Sequence, residues 1–290
     1  VTTSSTCFFA SDLHGDIGRY EKLFAAIVAE QPAAVFLGGD LLPSGLGLTA
    51  ALDPAYLDFI NGFLAPALDR LKRALATLYP NVFAILGNDD PRIEEAAMLE
   101  AGTRGLWRYA HDQRIEWNGY TVFGYSCVPP TPFRLKDWER YDVSRYVDPG
   151  CSSPEEGWRT VPVQVSEVRY GTIQQDLDAL VGERPLDRAI MLFHAPPYQT
   201  ALDRAALDGR TIEYVPLDVH VGSIALRRFI EKRQPRITLH GHVHESARLT
   251  GTWFVRLGQT CAYSAAHDGA ELALVRFDPE TPATATRELI

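Results

Sequence analysis

What most constrains this chain is that five apolar runs each stop at a small polar cluster. The clusters are Asp12-Leu13-His14, Gly39-Asp40, Gly87-Asn88-Asp89-Asp90, His194 and His242-Val243-His244. The runs before them begin at Thr6, Ala34, Val82, Ala189 and Arg236, as in Ala189-Ile190-Met191-Leu192-Phe193. Because they are largely apolar throughout and do not alternate, they predict parallel strands buried on both faces. Side chains alternate along extended chain, so Asp12 and His14 can point the same way past the first strand. Gly15 permits a sharp turn there, and a helix is expected over 16–30. Pro196-Pro197 after His194 cannot continue a sheet interior. Polar residues delivered at strand ends gather at one edge of an α/β sheet, where its binding crevices lie.

These clusters supply Asp, Asn and His donors, which borderline divalent metals prefer. Six or seven donors are too many for one closed tetrahedral site and suit two metals that share a carboxylate, the device used to hydrolyse phosphate esters. The set resembles the calcineurin-like metallophosphoesterase superfamily, whose signature runs D-x-H, G-D, G-N-H-[DE], H and G-H-x-H. The five motifs occur here in that order over residues 12–244, the third with one departure. One such motif alone carries little information; five in order after strand-like runs carry much. The resemblance implies one metal held by Asp12, His14 and His244, a second by Asn88, His194 and His242, and Asp40 bridging both. Manganese or iron suits the mixed imidazole–carboxylate set, and zinc, nickel and cobalt are compatible with it. The expected fold is α/β: a four-layer α/β/β/α sandwich of two mixed sheets flanked by helices, with the dinuclear metal site at strand ends.

One position departs from the pattern. Where the superfamily usually has His after the Asn, this chain has Asp89. In the family that His lies near the phosphate and aids the leaving group. Three readings of Asp89 stand open: a general acid with a raised pKa, a binder of a cationic or hydroxyl-bearing group, or a cap on the helix expected after Pro91. His220, before a helix expected over 224–232, is a second candidate proton donor or an ordinary loop residue. Arg19 and Arg92 follow metal motifs closely and are candidate bidentate phosphate ligands, with Asn88 a further contact for phosphate oxygens. His240 reads as a satisfied strand histidine, and His111 and His267 read as surface residues.

Length and composition agree with one enzyme-sized domain over 1–290 that buries its core without disulfides. A formal charge of −9 disfavours an extended nucleic-acid partner, but not a small phosphorylated substrate, since bound metals carry positive charge. No apolar stretch approaches a membrane span, and no signal peptide is visible at the first residues. Valine at position 1 nevertheless leaves a trimmed start open. Four scattered cysteines without a C-x-x-C pair fit a reducing, cytoplasmic setting, with a Cys127–Cys151 bridge left open. Oligomeric state is left open as well. About 125–165, prolines and glycines break regular structure while aromatics argue against disorder; the segment reads as an insertion bordering the site. Helix is expected again over 166–180, with strands near 247–249, 253–257 and 272–277. The reading that follows is hydrolysis of a phosphate ester, with a small phosphodiester or nucleotide slightly favoured because the motif histidine is missing. The alternative is an inactive scaffold or binding module on the same fold.

Overall fold

Strands that are apolar on both faces must be covered on both, and this chain covers them with a second sheet on one side and helices on the other. A computed structural model describes residues 5–43 and 58–290. The first sheet has the order β14-β13-β1-β2-β3-β4. Its members are β1 (Cys7–Ala10), β2 (Ala34–Gly38), β3 (Asn81–Ile85), β4 (Arg108–Tyr109), β13 (Ala273–Phe277) and β14 (Thr286–Leu289). The second has the order β11-β12-β10-β7-β6-β5. It comprises β5 (Gln113–Trp117), β6 (Tyr120–Tyr125), β7 (Ala189–Phe193), β10 (Ile237–His240), β11 (Phe254–Leu257) and β12 (Thr260–Ser264). Both sheets are mixed, and β8 (Thr211–Ile212) and β9 (Val215–Pro216) pair apart from them. β1 to β4 run parallel, as do β12, β10, β7 and β6, while β13, β14, β11 and β5 pair antiparallel at the flanks.

Alternate residues of each strand serve two cores. Phe9, Phe36 and Phe83 of the first sheet cluster with Ile190, Leu192, Leu239 and Tyr263 of the second. Tyr263 and Phe277 meet across the sheets at 5.6 Å between ring centroids. Their strand neighbours Phe8, Val35, Ala84 and Met191 pack with helix residues such as Leu23, Leu68, Met98 and Leu226. The result is the four-layer α/β/β/α sandwich.

The first helix spans Ile17–Glu30, with Asp16 accepting from the Arg19 N–H as its N-cap, and Ser223 caps Ile224–Arg233 in the same way. Two expectations are corrected. The helix expected over 166–180 is two helices, Val165–Tyr170 and Ile173–Val181, because Thr172 pairs with Tyr141 and starts the second as its cap. Residues 247–249 lie in a helix, Ser246–Thr250, ended by Gly251 at φ +75°, and not in a strand. The hairpin β5–β6 was not anticipated, although Asn118 and Gly119 at φ +46° and +76° are the residues a two-residue hairpin turn favours. Cys127 and Cys151 are free thiols. Among the described residues no helix is long and apolar enough to cross a membrane.

Candidate metal centre

Parallel pairing ends β1, β2 and β3 side by side, and β7 and β10 likewise, so the clusters that follow them converge at one end of the sandwich. Two glycines permit that approach. A Cβ on Gly39, at φ +92°, would lie 2.7 Å from His194 Nδ1, and one on Gly241 would lie 2.6 Å from Asp12 Oδ2. Four site residues hold left-handed backbone: Asp12, His14, Asp40 and His242, at φ +58°, +47°, +51° and +75°. Each costs of order 1–3 kcal/mol and persists only where neighbours impose it. Here the Asp12 N–H donates to Gly39 O at 3.0 Å and the His14 N–H to Asp40 O at 2.8 Å.

Asp12, His14, Asp40 and His244 form one group able to hold a metal ion, and Asp40, His194 and His242 form another, with potential ligand atoms within 4.8 Å of one another in each. Asp40 is common to both. Asp12, fully buried, accepts from the His242 N–H at 2.9 Å and from Ser11 Oγ at 2.5 Å. His244 Nε2 lies 3.2 Å from Asp12 Oδ1 and 3.2 Å from His14 Nε2. Asn88 joins the second group, its Oδ1 3.0 Å from His194 Nε2.

The donor set fits a cation on chemical grounds. His194 Nδ1 lies 2.8 Å from Gly38 O, which only accepts, so this nitrogen carries the proton of the neutral ring. His194 Nε2 then turns a lone pair toward Asp40 Oδ2 at 3.2 Å and toward Asn88 Oδ1. These atoms need a positive charge between them, either the proton that makes the ring an imidazolium or a metal ion that takes its place. The imidazole pKa values say the same. Burial works against charging His194, but Asp40 and Asp12 outweigh it and push it up to about 9. Burial likewise opposes charging His14, yet Asp89, Asp40 and Asp12 push it up to about 9. Burial and the charge of His194 push His242 down to about 3, leaving the neutral ring a metal ligand requires.

The remaining candidates divide. Asp89 is at the mouth, its carboxylate 3.4 Å from His14 Nδ1 and its N–H donating to Asp40 Oδ1 at 2.8 Å. The cap reading of Asp89 is corrected: the turn before the Glu95–Thr103 helix begins at Arg92, whose N–H donates to Asp137 Oδ2. Asp90, which sequence reasoning left without a role here, is fully buried and accepts from Leu41, Leu42 and Gly87 N–H groups, tying the second cluster to the third. Arg19 donates through its two Nη atoms to Asp12 O and Gly269 O. Arg92 lies over the Trp138 ring, 5.0 Å from its centroid, and pairs with Glu95. His220 Nδ1 is 2.8 Å from buried Asp203; its loop reaches the His244 segment where the Ala206 N–H donates to Glu245 Oε1 at 2.9 Å. His240 is buried and satisfied by Ala195 O and Thr238 Oγ1. His267 pairs with Glu271 near the surface, but His111 does not read as a surface residue: it packs among Tyr125 and Trp138 and lines a cavity.

Two face-packed mixed sheets carrying a shared-carboxylate cluster at their strand ends define a metal-binding α/β sandwich. The family model for calcineurin-like phosphoesterases matches residues 6–246, and the chain belongs to that family. No curated protein matches it in sequence. One solved crystal structure aligns over 98% of both chains at 18% identity and a TM-score of 0.60. That of the Thermus thermophilus protein TT1561 aligns over 98% of both at 18% identity and a TM-score of 0.55. At that identity the likeness is one of fold.

Proposed function

We propose that this protein hydrolyses phosphate esters with two divalent metal ions, one held by Asp12, His14, Asp40 and His244 and one by Asp40, Asn88, His194 and His242. The observation that carries the reading is the convergence of His194 Nε2, Asp40 Oδ2 and Asn88 Oδ1, with Asp40 shared between both groups. When bound, the ions supply an activated water and positive charge for the phosphoryl oxygens, and manganese or iron suits the donors best.

The chain's own residues do the rest. Ser11 and the His242 N–H hold the Asp12 carboxylate in place. Asn88, with Oδ1 turned toward His194, has its amide N–H groups to offer a phosphoryl oxygen. Asp89, with its side chain 38% exposed and its carboxylate 3.4 Å from His14 Nδ1, is our candidate either to protonate the leaving oxygen or to accept from His14 Nδ1 and aim that ring. His220 is the other proton donor, oriented by Asp203 through Nδ1 with Nε2 left for transfer. Arg19 we assign to bracing the first site loop, since Asp12 O and Gly269 O occupy its two Nη atoms.

A small phosphodiester or nucleotide is the favoured substrate, because Asp89 in place of the usual histidine weakens leaving-group protonation. Aryl monoesters, aryl diesters, cyclic nucleotides and nucleoside diphosphate conjugates, offered to metal-replete protein, test the class. If Asp89 is the acid, Asp89→Asn slows turnover by roughly 10²–10⁴-fold with poor leaving groups and much less with good ones. Equal rates with both kinds of ester would move the role to His220, and no turnover of any panel member by wild type would defeat the proposal.

A further inference from the structure

Beneath the irregular segment 126–164 is a cavity of about 220 Å³, whose lining includes Arg92, His111, Arg140 and Arg159. None of its lining residues belongs to either metal-holding group. Acidic side chains also line it, but most of their oxygens are spoken for. Asp137 accepts from the Arg92 and Thr160 N–H groups and from Thr160 Oγ1. Glu139 accepts from Lys136, Thr131 N–H and Thr131 Oγ1. Arg140 is used up by Glu167 and Asp176, and Asp176 also takes the Tyr125 hydroxyl. Asp112 is the one lining carboxylate with no hydrogen bond to its oxygens among the described residues.

What is left over is mostly donors. His111 Nδ1 accepts from the Ser126 N–H at 3.0 Å, so the neutral ring carries its proton on Nε2. Burial, with Arg92 and Arg140 nearby, pushes this imidazole down to about 3 and keeps it neutral. Its Nε2–H makes no hydrogen bond among the described residues. Arg159 donates through Nη1 to Pro154 O at 2.7 Å, and its Nε and Nη2 make no hydrogen bond among the described residues. Arg92 uses Nε on Glu95 and stacks on Trp138, and both its Nη atoms are likewise uncommitted. Arg92 and Arg159, each with uncommitted N–H groups, and the His111 Nε2–H therefore line one space, where Asp112 is wholly uncommitted and Glu167 and Asp176 each keep one oxygen without a hydrogen bond among the described residues. Guanidinium forks match the geometry of tetrahedral oxyanions.

We propose that this cavity is an oxyanion site, taking inorganic phosphate or the phosphate group of a small phosphomonoester through Arg92, Arg159 and His111 Nε2–H. The site is separate in its residues from the proposed metal centre and stands whether or not hydrolysis occurs there. The test is calorimetric titration of inorganic phosphate, and separately of phenyl phosphate, into the Asp40→Asn variant, where the metal centre is disabled. The same titration into wild-type protein stripped with chelator covers the case in which that variant does not fold. One equivalent of phosphate should bind in both, and preference for phenyl phosphate would identify an esterified ligand. Arg159→Gln should weaken binding about 10- to 100-fold, the scale of a lost charge-assisted hydrogen bond, with Arg159→Lys in between. Ester turnover by metal-replete Arg159→Gln should equal that of wild type. Absence of binding at millimolar phosphate in both proteins, or unaltered binding by folded Arg159→Gln, would overturn the proposal.

Discussion

The strand-end loops and the segment 126–164 are both irregular backbone, yet they are held in opposite ways. In the loops, Asp40 Oδ2 and Asn88 Oδ1 both face His194 Nε2, and the carboxylates push that ring up to about 9, so the space draws a positive charge, a proton or a metal ion. In the segment, away from the cavity that Arg159 lines, most buried donors and acceptors are already matched. Lys136 and Glu139 form a fully buried pair at 2.6 Å, and Lys136 Nζ also donates to Thr131 O and Ser152 O. Asp142 accepts from Ser223 Oγ and from the Ile224 and Ala225 N–H groups, so the segment caps a helix far from it in sequence. A region left electrostatically open is waiting for a ligand, and a region closed on itself is structure.

That contrast predicts which substitutions damage what. The largest stability loss should come from Lys136→Met, which leaves Glu139 buried and unpaired and costs about 3–5 kcal/mol in urea unfolding. Replacing both, as Lys136→Met with Glu139→Leu, should recover most of it, because the cost is the stranded charge and not the missing attraction. Metal content of the folded fraction should not change in either.

Acid should weaken the fold next. The folded pKa of His111 is pushed from 6.5 down to about 3, so as pH falls the unfolded chain takes up the proton first. The stability that the neutral ring contributes is whole above about pH 6.5 and is lost as pH drops toward about 3. Unfolding measured between these limits should show His111→Gln with a shallower pH slope than wild type; equal slopes would contradict the assignment. The smallest effect belongs to Asp142→Ala, which removes a helix cap and should cost about 1 kcal/mol. A cost well above that would mean that the segment holds the domain together more tightly than its bonding pattern indicates.

The same contrast explains what the sequence disclosed. The strands β1, β2, β3, β7 and β10 are legible because each is an apolar run with a polar stop, and burial on both faces leaves no other use for such a run. The residues gathered at their ends were legible by type and position. Ser11 and Asp90 were not: Ser11 donates to its neighbour Asp12, which no pattern marks, and what Asp90 does depends on the loop that folds against it. The short helix Ser246–Thr250 was misread because three residues show no period, and Glu245 O reaches the Leu249 N–H only once the chain turns. In the segment 126–164 almost every stabilising bond joins residues that are distant in sequence or irregularly spaced, so no local pattern announces it. Asp137, for one, ties the backbone at Arg92 to that at Thr160.

The proposed function gives one carboxylate, Asp40, two metal positions to serve. Metal content after reconstitution with manganese tests it most directly, on wild type beside His14→Ala, His242→Ala and Asp40→Asn. Two equivalents are expected in wild type, about one in each histidine variant, and weakened binding of both in Asp40→Asn. Two firmly held equivalents in folded Asp40→Asn, or none in wild type, would contradict it.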